Sequence, residues 1–296
     1  MKPLLAATLA LVFASASVSA EPDTYVQSVA TARTERLAAL TKPDGWLTLI
    51  GLHFLQPGAN TVGHAPDNTL VLAAGPAHLG TVTLDAAGAV AFAPAAEAAV
   101  LVDGQPAQPT TLALKTGSAP ATLVSAGTVS FFVIDRGGRK ALRVRDSAAE
   151  RRTQFHGLEY YPVDLSWRIE ADWVPAEKPR ELSIKNVLGA ISVEESLGKA
   201  VFHRDGRTYE LLPLAEAGDD TLFFVFADTT SGHDTYTMRF LDAAPPKDGK
   251  VILDFNLAEN PPCAFTPFAT CPLPPAENHL PLAITAGEKI PADHRH

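Results

Sequence analysis

The chain of 296 residues carries 24 lysines and arginines against 33 aspartates and glutamates, a formal charge of −9 at pH 7. An acidic surface of that kind repels phosphate backbones and anionic headgroups, which sets nucleic acid and lipid surfaces aside as partners. Apolar residues make up 46% and charged residues 19%, enough for a packed core in one or two domains.

The N-terminus reads MKPLLAATLALVFASASVSA, with Lys2 ahead of an apolar run from Leu4 to Ala14 and small residues ending at Ala20. This is the pattern of a cleavable secretory signal over residues 1–20. The run is shorter than the ~20 apolar residues a membrane anchor needs, and no later run approaches that length. The expectation is an exported protein, periplasmic or secreted, with no membrane span after cleavage. Two cysteines in an oxidising compartment usually form a bridge.

Residues 21–43 follow as a helix. Tyr25, Val26, Val29, Ala30, Leu37 and Leu40 approximate one apolar face, and Lys42-Pro43 stops it. It reads as a leader laying one stripe on the body. From Trp46 the pattern changes to short apolar runs divided by Pro57-Gly58, Asp103-Gly104, Ala126-Gly127 and Gly137-Gly138, the spacing of an antiparallel sandwich over residues 44–148. The charged run from Arg143 to Arg152 reads as a solvated connector. The second half, 149–296, is again strand-rich. Runs at Ser166–Trp173, Ser183–Val187, Thr235–Phe240 and Leu280–Ile284 are expected strands, and Asp205-Gly206 is a hairpin signal, since both central positions of a type I′ turn need positive φ. The fold class expected is mainly β: two antiparallel sandwich or barrel-like halves and a short N-terminal helix.

The order Gly58-x-Asn60-x-Val62-Gly63, Asp67-Asn68-x-Leu70, Ala77-His78-Leu79-Gly80 and Val102-Asp103-Gly104-Gln105 resembles a forkhead-associated sandwich. Such domains hold phosphothreonine through an arginine after the first motif and a serine before the histidine. This chain has His64 in the first position, and Gly75 and Pro76 in the others, so the resemblance implies a fold and no phosphopeptide site. FHGLEYYPVD (155–164), FADTTSGHDTYTMRFL (226–241) and the long segment 253–289 are similar to a bacterial family catalogued as domain of unknown function 1684. The Trp46-Leu-x-Leu-x-Gly51-Leu segment, Arg136-Gly137, Leu142-Arg143 and Asp146 also occur there. That resemblance implies an architecture and a signature, without a reaction.

The polar residues gather in the second half. Asp228, Ser231, His233, Tyr236 and Arg239 fall within twelve positions, and Asn256, Asn260, Asn278 and Glu288 follow. Together they suggest a pocket that orients a polar small molecule or envelope component, with Arg239 supplying charge-assisted contacts. Against this stands a structural reading, in which asparagines hold irregular backbone that lacks ladder partners. A hydrolase acting on an envelope polymer or ester is the alternative, with Asp228, His233 and Glu288 as acid–base groups, or with Ser231, His156 or His233, and Asp228 as a triad. Ser231 lies outside a G-x-S-x-G elbow, and no catalytic residue is assigned. A protein with a purely structural role is the third reading. No cofactor is expected.

Between the last polar groups lies NPPCAFTPFATCPLPPAENHL, residues 260–280, which holds Cys263 and Cys271 among six prolines. Their seven-residue gap exceeds the spacing of a structural zinc pair, so no metal is expected even with His233 or His279 nearby. A reactive thiol would need a neighbouring cation or helix start. A disulfide clip between stiff proline segments is the expectation.

Overall fold

The computed structural model describes residues 20–115, 119–214 and 218–291. Of the expected signal, residues 1–20, all but Ala20 lie outside the described residues. The protein is mainly β. One helix, α1 (Ala20–Thr41), precedes eleven strands: β1 (Leu49–Phe54), β2 (Gly58–Gly63), β3 (Leu70–Val71), β4 (Gly80–Leu84), β5 (Val90–Pro94), β6 (Leu101–Val102), β7 (Gln105–Pro106), β8 (Thr110–Thr111), β9 (Val124–Ala126), β10 (Val129–Arg136) and β11 (Arg139–Asp146).

These strands form two sheets, one ordered β1-β11-β10-β9-β6-β7 and the other β3-β2-β4-β5-β8. All pairings are antiparallel except β2 with β3. Val62, Val82 and Phe92 from one sheet meet Phe131, Val133 and Val144 from the other in a shared core. The expected turns close the hairpins. Gly137 and Gly138, at φ 62° and 79°, carry the chain from Arg136 to its partner Arg139, a backbone shape that residues with a Cβ rarely adopt.

β11 runs on to Asp146, which corrects the reading of Arg143–Arg152 as a solvated connector. Arg143 is buried, with its guanidinium 5.3 Å from the Trp46 ring. Alternation along the strand explains this: Leu142 and Val144 belong to the sandwich core, which turns Arg143 to the opposite face. Glu150–Thr153 forms the short helix α2, none of whose residues is fully buried.

The second half begins with a long hairpin, β12 (Arg168–Lys185) and β13 (Ile191–Arg204), so that two expected strands are one. It continues with β14 (Arg207–Leu211), β15 (Leu222–Phe226), β16 (Arg239–Ala243) and β17 (Lys250–Asp254). Four strands make a sheet in the order β14-β13-β12-β17, and β15-β16 forms a separate ribbon. Phe202, Leu211 and Leu253 from the sheet and Phe224, Phe226 and Leu241 from the ribbon fill one core around Phe255. The β13–β14 turn has Asp205 at φ 50° and Gly206 at 73°, as its sequence requires.

Two expected strands are corrected. Thr235–Met238 is loop, and the strand begins at Arg239. Leu280–Ile284 alternates buried and exposed positions as a strand does, but among the described residues its backbone-to-backbone bonds reach only the short stretch Ala227–Thr229, with Leu280 N–H donating to Ala227 O and Thr229 N–H to Leu282 O. No helix among the described residues is long and apolar enough to cross a membrane.

Candidate functional site

The site is built where α1 crosses the second half. Tyr25, Val29, Arg33, Arg36 and Leu40 recur at helical spacing, and Val29 and Leu40 are buried while Val26 and Leu37 stay exposed. The face pressed to the body therefore carries two arginines. Tyr25 anchors one end, its hydroxyl set between both carboxylate oxygens of Asp254 at 2.8 and 2.9 Å.

Facing Arg36 are two carboxylates. Glu259 is locked to β16 by reciprocal backbone bonds with Phe240, each 2.9 Å. Glu288 follows Gly287, whose φ is +79°. A Cβ on Gly287 would meet Ala258 O at 2.5 Å and Phe255 O at 2.7 Å, so only glycine lets the tail approach closely enough to insert Glu288. Arg36 Nε then lies 2.9 Å from Glu288 Oε1 and 3.1 Å from Glu259 Oε2. Arg36 Nη2 donates to Asn260 O at 2.8 Å, and Asn260 N–H donates to Glu288 Oε2 at 2.7 Å. This closed ring fixes both the arginine and the buried carboxylate.

Beside the ring is a cavity of about 200 Å³, lined by Arg33, Arg36, Tyr160, Asp242, Glu259 and Glu288 with Ala32, Asn256, Leu257 and Ala258. Arg33 stacks its guanidinium 4.2 Å from the centre of the Tyr160 ring and spends one nitrogen, Nη2, on Tyr161 O. Arg33 Nε and the Tyr160 hydroxyl are buried and without a partner, a costly state that water or a ligand would relieve. The electrostatics are uneven. Burial pushes Glu259 up to about 7, against the pull of Arg36, and the neighbouring Glu288 and Asp242 add to the rise. Partial desolvation also raises Asp242 and, helped by Glu288, Tyr160, while it lowers Arg33. Arg36 is raised, since its two carboxylates outweigh its burial.

A larger groove of about 690 Å³ runs past Asp146, Glu150, Arg151, Gln154 and His156. None of its lining residues has a buried polar atom left without a partner among the described residues. The smaller cavity is the chemically unsatisfied one.

The family described as Protein of unknown function (DUF1684) matches residues 153–289. The chain belongs to this family. Among solved structures, the solution NMR structure of an uncharacterized protein from Haloarcula marismortui is 34% identical, covering 49% of this chain and 81% of that one at a TM-score of 0.41. No curated protein matches the chain. The DUF1684 segment supplies Tyr160, Asp242, Glu259 and Glu288 to the cavity; Arg33 and Arg36 come from outside it.

The polar residues that stand out in the sequence of the DUF1684 segment are not gathered in one place. Asn256 and Glu288 line the cavity, and Asn260 closes its ring through backbone. Asp228 and Arg239 are engaged with each other at 2.6 Å, with exposures of 0% and 1%. Arg239 also donates to Ala286 O and Ile284 O, and Asp228 accepts from Thr230 and from Ile284 N–H. Ser231 Oγ accepts from Asp228 N–H at 3.0 Å, and no hydrogen bond joins it to a histidine among the described residues. His233 is exposed. Tyr236 donates to Cys263 O.

The asparagines act as backbone surrogates. Asn278 accepts from Leu212 N–H and donates to Leu212 O and Val225 O at 2.8 to 2.9 Å. Asn256 accepts from Asp164 N–H and donates to Asp164 O, both at 2.9 Å. Cys263 and Cys271, expected as a disulfide, are unbonded thiols in this structure, held side by side with Cys263 N–H donating to Cys271 Sγ at 3.2 Å. Their mutual hydrogen bond lowers Cys263 and raises Cys271.

The residues that a reading of the sequence passes over are Arg33, Arg36, Tyr160, Asp242 and Glu259. One signal was present: two arginines three apart, on the helix face that also carries Val29 and Leu40.

Proposed function

We propose that this is an exported protein that binds a small polar ligand in the cavity between α1 and the DUF1684 segment. One observation carries the reading: Arg33 Nε and the Tyr160 hydroxyl are buried without partners in a cavity whose other walls carry three carboxylates. Unsatisfied buried donors and a carboxylate raised to about 7 are what binding and reactive sites hold in common. The volume, below the ~300 Å³ of drug-sized pockets, sets the ligand small. Export rests on the N-terminal pattern of residues 1–20. The adjacency of Cys263 and Cys271 supports a disulfide clip in an oxidising compartment. The six- and five-stranded sheets of the first half support its forkhead-associated likeness as a scaffold.

Thermal unfolding with a panel of small anions, cations, zwitterions and polyols tests the reading. Saturation at about 100 times Kd stabilises by ~2.7 kcal/mol, a rise of roughly 5 °C or more for a chain of this size. At least one compound should give that rise in the native protein, and Arg33→Gln and Tyr160→Phe should diminish it. A panel without effect, or a rise untouched by both substitutions, contradicts the reading. The near-neutral Glu259 favours hydrolysis as a second reading; turnover of an ester or glycan that Glu259→Gln abolishes would select it.

A further inference from the structure

We infer that the ligand of this cavity is a small zwitterion of the free amino-acid class, its carboxylate held by Arg33 and Tyr160 and its ammonium by Asp242 and Glu259. The inference rests on the binding reading above and adds the chemistry of the ligand. Arg36 and Glu288 already satisfy each other through the 2.9 Å ion pair and the backbone of Asn260. They form a neutral foundation and offer little to a guest. What is left is divided by sign. Arg33 Nε–H and the Tyr160 O–H are two buried donors without acceptors, held together by the 4.2 Å stacking of guanidinium on ring. Two neighbouring donors, one of them cationic, suit the two oxygens of a carboxylate.

The opposite sign comes from Asp242 and Glu259. Asp242, on β16, is exposed, and its side chain makes no hydrogen bond or ion pair among the described residues. Glu259 is 36% exposed in its side chain and shares the Arg36 guanidinium at 3.1 Å. Asp242 accepts only, as does Glu259 in its ionised form, and an ammonium supplies three donors and favours that form. A lone anion would leave this carboxylate edge facing it, and a lone cation would leave the two buried donors unpaired. A ligand carrying both charges satisfies each set without adding net charge. Size agrees in kind: about 200 Å³ lies below the ~300 Å³ of drug-sized pockets and suits a small ligand.

Titration calorimetry of the full chain with L-serine, L-serine methyl ester and N-acetyl-L-serine tests the inference. The ester lacks the anion and the acetyl derivative lacks the cation. L-Serine should bind with each derivative weaker by at least about tenfold, the worth of one lost charged hydrogen bond. Arg33→Gln should weaken L-serine by a similar factor and leave the ester unchanged. Asp242→Asn should weaken L-serine and leave the acetyl derivative unchanged. Equal or tighter binding of either single-charge derivative overturns the zwitterion assignment while leaving a ligand site at the cavity. No heat from any of the three, together with no stabilisation across the panel of charge classes, overturns both.

Discussion

Asp228 and Arg239 make opposite use of the charge that drew attention to them in the sequence. Each is buried to within 1%, and burial lowers the arginine against the pull of Asp228. Removing one partner strands a carboxylate in the core, which typically costs about 3–5 kcal/mol. Arg239→Met should therefore lower the urea midpoint sharply; a loss under about 1 kcal/mol would mean the pair is solvated. Glu259 behaves differently, because its carboxyl is raised from 4.5 to about 7 in the folded state. Between those values the native protein holds a proton that the unfolded chain has released, so stability falls as pH rises from 4.5 to 7. The penalty is absent below the lower value and complete above the upper. With more than a third of the side chain exposed, it is about 1 kcal/mol after screening. Glu259→Gln should flatten that segment of the stability curve, and an unchanged slope would contradict the assignment.

Among the elements, the hairpin at Asp205-Gly206 was legible because two adjacent residues carry the whole signal, positive φ at both positions. The helix was legible as a helix and only half legible as a surface. Val26 and Leu37 suggest a broader apolar stripe than exists, while the inward arginines look like ordinary charge. Their partners lie over a hundred residues away, and no local pattern announces an ion pair of that range. The asparagines misled for a related reason: a side chain that mimics a missing strand partner, as Asn278 does for Leu212 and Val225, looks the same in sequence as one that awaits a ligand. The Cys263–Cys271 segment yields a prediction at this scale. Closing so short a loop is worth about 2–3 kcal/mol on the chain-entropy account, and the flanking prolines reduce it by already restricting the unfolded chain. Oxidised protein should thus exceed reduced protein by ~2 kcal/mol in guanidinium unfolding. Equal stability would mean the thiols stay free.

The molecule as a whole carries two main apolar cores, one within residues 55–144 and one within 167–286. Two smaller clusters accompany them, one containing Leu40, Leu47 and Phe265 and the other Met238 and Cys271, and Trp46 packs against both. Arg136 Nε reaches Thr270 Oγ1 at 2.8 Å between the two halves. Trp46→Ala should cost roughly 3 kcal/mol and split one calorimetric transition into two. A single sharp transition in the variant would show that the halves are coupled elsewhere. The cavity belongs to this scale as well, since α1, β16, the loop after β17 and the C-terminal tail each contribute one wall. Its location is therefore tested most directly by amide and arginine ¹H–¹⁵N chemical-shift mapping on addition of L-serine. Saturable shifts centred on Arg33 Nε, Tyr160 and Glu259 are the predicted result. Shifts confined to the groove around Glu150 and His156, or none anywhere, would contradict the account.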